Sequence, residues 1–166
     1  MKLKVAAYIT CYQDRESVDK CTQAIKSQSI KVEEIYIVDN SIEPLLLDNN
    51  SQILLIHHYP SNIGIAEGLV KALKWATDRG YDFLWTFDQD SIPNPNCLEI
   101  LLKTYHKLVT QSNYQIGIIA PTPYDPRTGE VIKSTVFLND HFAGLDHNTN
   151  TDFYECDSPI TSGSLI

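Results

Sequence analysis

The sequence predicts an α/β fold with a mainly parallel sheet and helices on both of its faces. Three observations carry this. Short apolar runs rich in β-favouring residues alternate with stripes of helical period. The runs are continuously apolar, as in strands buried on both sides. The polar and acidic side chains cluster just after the runs, where open α/β sheets bind their ligands.

In chain order, the runs cover residues 3–9, 35–38, 53–56, 83–87 and 116–120. After the first, Asp14 offers an N-cap, and Val18, Cys21 and Ile25 mark the buried stripe of an amphipathic helix. Ala66, Leu69, Val70, Leu73 and Ala76 make a second stripe, with Gly80 as its terminator. Asn94 and Pro95 suit the N-cap and N1 positions of a third helix. Its apolar face is Leu98, Leu101, Leu102, Tyr105, Leu108 and Val109. Beyond Pro121 the pattern changes: residues 124–129 read as a turn, 131–138 as a strand and 139–151 as a polar surface loop.

Composition bounds the function. The 166 residues are 43% hydrophobic, enough for one well-buried domain. A net charge of -8 excludes a general nucleic-acid binder, which needs a clustered cationic surface. It does not exclude a nucleotide, because carboxylates holding a divalent cation supply the missing positive charge. Cys11, Cys21, Cys97 and Cys156 form no CxxC pair and read as buried free thiols, which suits a cytoplasmic protein. The first apolar run is too short for a signal peptide, and no stretch approaches a membrane span. Membrane contact is therefore expected to be peripheral, at the inner face, or to lie outside this chain.

Four segments at the strand ends carry the polar chemistry: Thr10-Cys11-Tyr12-Gln13, Asp39-Asn40-Ser41, Asn62-Ile63-Gly64 and Asp88-Gln89-Asp90. In extended backbone, Asp88 and Asp90 point to one side, and two close carboxylates favour a bound cation. Hard oxygen ligands suit Mg2+ or Mn2+, completed by diphosphate oxygens and water. The bland alternative is that both aspartates cap the turn and helix that follow. Asp39 is placed to accept from a base N–H or ribose hydroxyls, and its alternative is a plain turn. Gly64 permits backbone approach to phosphate at a helix N-terminus. The histidines show no zinc-binding spacing, and Trp75 and Trp85 read as core.

Taken in order, these segments resemble family 2 glycosyltransferases, and within them the bacterial rhamnosyltransferase-like group. Residues 6–13 look like the family's opening strand and Thr-Tyr-Asn turn, with Cys11 and Gln13 departing at the Thr and the Asn. Gln28 fits the glutamine that ends its first helix. Val38-Asp39-Asn40-Ser41 matches its base-binding loop, and residues 62–68 its Asn-x-Gly segment, with Leu69 replacing a frequent Asn. Phe87-Asp88-Gln89-Asp90-Ser91 is similar to the Asp-Gln-Asp-Ser form of the DxD motif. Thr161-Ser162-Gly163-Ser164-Leu165-Ile166 looks like the loop and strand that precede the acceptor region.

The resemblance implies a GT-A-type fold and inverting transfer of a sugar, rhamnose included, from a nucleoside diphosphate sugar to an acceptor hydroxyl. The donor is dTDP-rhamnose or a UDP-sugar, and the acceptor a glycan or lipid-linked molecule in cell-envelope polysaccharide synthesis. Thr10, Cys11, Tyr12, Asp39, Asn62, Gly64, Gly68, Asp88, Gln89 and Asp90 are the implied donor-binding residues. Asp88 and Asp90 are the implied ligands of Mg2+ or Mn2+. One domain is expected over residues 1–166, with a donor-binding core to about residue 120 and the start of an acceptor side after it. The family's catalytic base is then expected beyond Ile166, and residues 164–166 are expected to be mobile or rearranged. The competing readings are a non-catalytic nucleotide-binding module, a Mg-dependent HAD-type phosphatase and, with a poor phosphate loop at residues 13–16, a sugar nucleotidyltransferase.

Overall fold

The computed structural model describes residues 3–47, 53–111, 115–145 and 153–166. Its centre is a four-stranded sheet of β1 (Val5–Cys11), β2 (Ile35–Asp39), β3 (Leu54–His58) and β4 (Phe83–Asp88), in the order β3-β2-β1-β4. Every pairing in it is parallel. Three helices accompany it: α1 (Arg15–Lys26), α2 (Gly64–Asp78) and α3 (Cys97–Gln111).

Strand alternation sorts the core into two layers. Val5, Ala7, Ile9, Ile35, Ile37, Trp85 and Phe87 face α1 and α3, meeting Val18, Cys21, Ile25, Leu98 and Leu101. Ala6, Tyr8, Tyr36, Val38 and Leu84 face α2, meeting Ala72 and Ala76. Helices therefore cover both faces, and β1, buried along its whole length, explains its unbroken apolar run. The ends of the helices follow the sequence closely. Ser17 N donates to the Asp14 carboxylate at 3.0 Å as an N-cap bond, and Gly80 leaves α2 with φ +70°. α3 starts later than Asn94-Pro95 suggests, because those residues form a turn closed by Cys97 N to Asn94 O at 2.9 Å.

The far side of β4 departs from expectation. Residues 116–120 form no regular strand; Ile119 makes a single antiparallel bridge to Leu165. Leu165 also bridges Trp85, so residues 164–166 occupy the place beside β4 and displace residues 116–120 outward. Residues 164–166, expected to be mobile or rearranged, are paired beside β4 in this structure. Leu84 and Ile166 exchange both backbone bonds at 3.0 Å, and Leu165 is buried against Trp85. Apolar burial on one side and a full set of backbone partners hold the segment in place.

The remaining strands are short. β5 (Tyr124–Asp125) pairs antiparallel with β6 (Glu130–Val131), and β7 (Thr135–Leu138) with β8 (His141–Gly144). The predicted strand at 131–138 is therefore split between two hairpins, and the predicted loop at 139–151 begins with a strand. Its remainder from residue 146, with His147, lies outside the described residues.

Candidate functional site

The strand order reverses at β1, with β2 and β3 on one side of it and β4 on the other. The C-terminal ends of β1 and β4 consequently flank the crevice where open α/β sheets take ligands. Thr10 and Asp88 are register partners there. Alternation turns both toward the α2 face, while Cys11 and its register partner Asp39 turn toward α1.

β4 stops at Asp88, and Ser91 N closes a turn onto Asp88 O at 3.1 Å. Asp90 lies in that turn rather than in extended backbone, so strand alternation does not place it beside Asp88. The turn does: Asp88 is half-buried, and its carboxyl is raised above the ordinary range first by burial and then by the charge of Asp90. A close acidic pair of hard oxygens with open positions around it fits a Mg2+ or Mn2+ that takes its other ligands from phosphate and water. No group of three or more His, Cys, Asp and Glu side chains is set to hold a metal among the described residues. The pair by itself would leave most of a coordination shell to the ligand.

The carboxylate loop is braced from two sides. Asp88 N donates to Ser162 Oγ at 2.9 Å, and that hydroxyl meets Ser91 Oγ at 2.6 Å. Gly163, at φ +86°, donates its N–H to Thr86 O, and its carbonyl accepts from Trp85 Nε1. On the other side, Gln89 Oε1 accepts from Tyr12 N at 2.7 Å, and Gln89 Nε2 donates to Tyr12 O at 3.4 Å. Gln89 is thus turned to the β1 loop. The Tyr12 side is 45% exposed at the mouth of the crevice.

The β2 loop is a hydrogen-bond hub. Asp39 is fully buried; its two oxygens accept from Ser41 N at 3.0 Å and Leu45 N at 2.8 Å. Each oxygen thus accepts one backbone N–H of its own loop, and the carboxylate keeps further acceptor sites. Asn40 Oδ1 accepts from Ile63 N, and Ser41 Oγ from Gln13 N at 2.7 Å. The α2 entrance docks on this hub, with Asn62 and Gly64 both at positive φ and Gly64 N bonded to Asn62 Oδ1. Gly68 sits deeper, where an added Cβ would lie 2.6 Å from Tyr8 Oη. The absence of a side chain there lets α2 pack closely on the sheet. Thr10 is buried at the strand end. Burial first, and then Asp39, pushes the Cys11 thiol up to about 12, so it stands as a neutral packing group.

Sequence reading missed the part of Ser162 and Ser91. The Thr161-Ser162-Gly163 turn is recognisable as a loop, but its partner lies more than seventy residues away, and only the antiparallel pairing beside β4 joins them.

The comparisons with known proteins bear on this geometry. The model of Glycosyl transferase family 2 matches residues 7–128, most of the chain and every strand-end segment described above. This chain belongs to glycosyltransferase family 2. Hyaluronan synthase of Streptococcus pyogenes is 33% identical to this family 2 chain over 117 residues, covering 62% of the chain and 27% of the synthase. The chain thus spans about a quarter of the length of that relative. Among solved structures, the mannosyltransferase PcManGT from Pyrobaculum calidifontis, in complex with GDP-Man and Mn2+, matches with a TM-score of 0.56 at 17% identity. That match covers 76% of this chain and 37% of that one. S. aureus TarS aligns with a TM-score of 0.47 at 19% identity, over 63% of this chain and 20% of that one. The fold of this family 2 glycosyltransferase chain is the GT-A type.

Proposed function

We propose that this chain is the donor-binding part of an inverting family 2 glycosyltransferase that moves a sugar from a nucleoside diphosphate sugar to an acceptor hydroxyl. The observation that carries the reading is the Asp88 and Asp90 pair at the sheet's reversal point, facing the loop that presents Tyr12. In this reading Asp88 and Asp90 hold Mg2+ or Mn2+, and the cation supplies positive charge toward a departing diphosphate. The binding of GDP-Man with Mn2+ by the similar mannosyltransferase supports it.

The residues of this chain bind and orient. Tyr12 offers an aromatic face to the nucleoside, and Thr10 lines the crevice floor beside Asp88. The amides at the start of α2, reached past Asn62 and Gly64, face the same crevice and favour anionic groups. Asp39 shapes the nucleoside loop in this reading, and its oxygens keep acceptor sites for a base N–H or ribose hydroxyls. The Asp-Gln-Asp-Ser sequence supports rhamnose as the sugar, with a dTDP- or UDP-linked donor and a glycan or lipid-linked acceptor of the cell envelope. All four cysteines are free, which supports a cytoplasmic site of action. No helix among the described residues is long and apolar enough to cross a membrane.

Calorimetry with UDP and dTDP tests the donor site. Binding is expected with Mg2+ or Mn2+ and is expected to weaken at least tenfold in EDTA or in Asp90→Ala. Equal affinity in all three conditions would remove the cation from the reading. In competition, dTDP-rhamnose is expected to outcompete UDP-glucose and GDP-mannose; a last-place ranking would reject rhamnose.

A further inference from the structure

We infer that Gln89 is a positioning residue that couples cation binding at Asp88 and Asp90 to nucleoside binding at Tyr12. The inference rests on the donor site proposed above and adds to it a mechanical link between its two halves.

Gln89 lies between the two acidic residues in sequence, yet its side chain leaves them. Its amide offers one acceptor and one donor, and both are used on a single residue of the neighbouring loop, at Tyr12 N (2.7 Å) and Tyr12 O (3.4 Å). A carboxylate in that place would meet the Tyr12 carbonyl with a second acceptor, and an apolar side chain would meet neither group. The next peptide is held as well, with Gln13 N on Ser41 Oγ at 2.7 Å and Ser41 N on Asp39 Oδ1 at 3.0 Å. Gln13 stands at φ 53°, a conformation a glutamine adopts at a cost and keeps only when its surroundings determine it. The loops after β4, β1 and β2 are therefore tied in series.

The Tyr12 backbone, from which its ring projects, is held by Gln89 at both its N–H and its C=O. The carboxylate end of the link is a short turn closed by Ser91 N on Asp88 O at 3.1 Å, with Gln89 between the two aspartates. With a cation held between them, Asp88 and Asp90 would fix the short turn that carries Gln89, and Gln89 would hold Tyr12 through its two bonds. Ser162, on Asp88 N, anchors the other side of that turn, so movement is directed toward the β1 loop. Linkage is reciprocal: whatever the cation does to nucleoside affinity, the nucleoside does to cation affinity.

The test uses uridine and thymidine, which lack phosphates and so offer a cation no diphosphate to bridge. Their affinities are measured by ligand-detected NMR with saturating Mg2+ and with EDTA, in wild type, Gln89→Met and Gln89→Glu. UDP and dTDP are measured alongside. Mg2+ is expected to tighten nucleoside binding about fivefold or more in wild type, the lower end of ordinary coupling between sites. The ratio is expected to fall to about one in Gln89→Met. Gln89→Glu, which keeps the bond from Tyr12 N and loses the one to Tyr12 O, is expected to fall between, and it serves alone if the Met variant does not fold. Wild type that binds UDP or dTDP with Mg2+ but binds nucleosides equally with and without it overturns the coupling and leaves the donor site standing. A full Mg2+ effect retained in either folded variant also overturns it. Failure of wild type to bind either nucleotide overturns the donor site itself, and the coupling with it.

Discussion

Burial and the neighbouring Asp90 charge raise the Asp88 carboxyl, and the consequence for stability has a definite sign. A carboxyl whose folded pKa exceeds its unfolded value favours the fold fully below the unfolded pKa and loses that contribution as pH rises through the folded value. At neutral pH the Asp88 charge therefore works against the fold, as expected of a group kept for binding. Asp88→Asn is expected to melt at a higher temperature than wild type in EDTA at pH 7, with the gap closing as pH falls through the Asp88 pKa. The same variant is expected to lose the cation dependence of nucleotide binding. Thermal denaturation over a pH series checks the first half, and a lower melting temperature at pH 7 would contradict it. Asp88 was legible because it ends an apolar strand. Asp39 was legible as a strand-end residue, but its state was not. Whether its oxygens face a ligand or Leu45 N depends on how the next six residues fold back, which no local pattern encodes.

Packing between elements explains two residues whose motif positions suggested ligand contacts or nothing at all. Gln28 is 1% exposed and ties the end of α1 to the start of α3. It accepts from Leu98 N at 3.1 Å and donates to Asn94 O at 2.8 Å, so it holds the chain just after the carboxylate turn. Gly68 lets α2 approach β1 closely. The hydroxyl it accommodates, Tyr8 Oη, is buried with no well-formed hydrogen bond, and burial pushes the phenol up to about 12 against an opposing pull from Thr10. Gly68→Ala is expected to cost about 1–3 kcal/mol, because its Cβ would lie 2.6 Å from the hydroxyl of the buried Tyr8. Tyr8→Phe removes an unsatisfied hydroxyl and is expected to be neutral or stabilising. In the Tyr8→Phe background, the cost of Gly68→Ala is expected to shrink by more than about 0.5 kcal/mol, the limit of simple additivity. Urea denaturation of the four proteins measures the cycle, and strict additivity would place the clash elsewhere, at Val38. Periodicity made the three helices and four parallel strands legible. It misplaced the fifth position in the sheet, because an antiparallel partner far along the chain competes for the same edge of β4.

At the scale of the whole molecule, binding a donor and transferring its sugar are separate achievements. Transfer requires an oriented base at the acceptor hydroxyl, a contribution of roughly 10²–10⁴-fold, and a wall that holds the acceptor in line. The acidic residues nearest the Ser162 turn are committed elsewhere. Asp157 Oδ2 accepts from Phe137 N at 2.8 Å and fastens the β7–β8 hairpin. Glu155 lines a cavity of about 660 Å3 between α3 and residues 153–159, on the α1 and α3 side of the sheet. The 166-residue chain is therefore expected to bind a nucleoside diphosphate sugar with Mg2+ while transferring its sugar at least a hundredfold more slowly than a longer protein that carries the same domain. Single-turnover transfer from one donor to one acceptor, with donor binding measured in parallel, decides the matter. Tight donor binding with slow transfer is the expected result. Equal turnover would mean that the described site already contains a base, and would turn attention to groups that the present geometry assigns to structure.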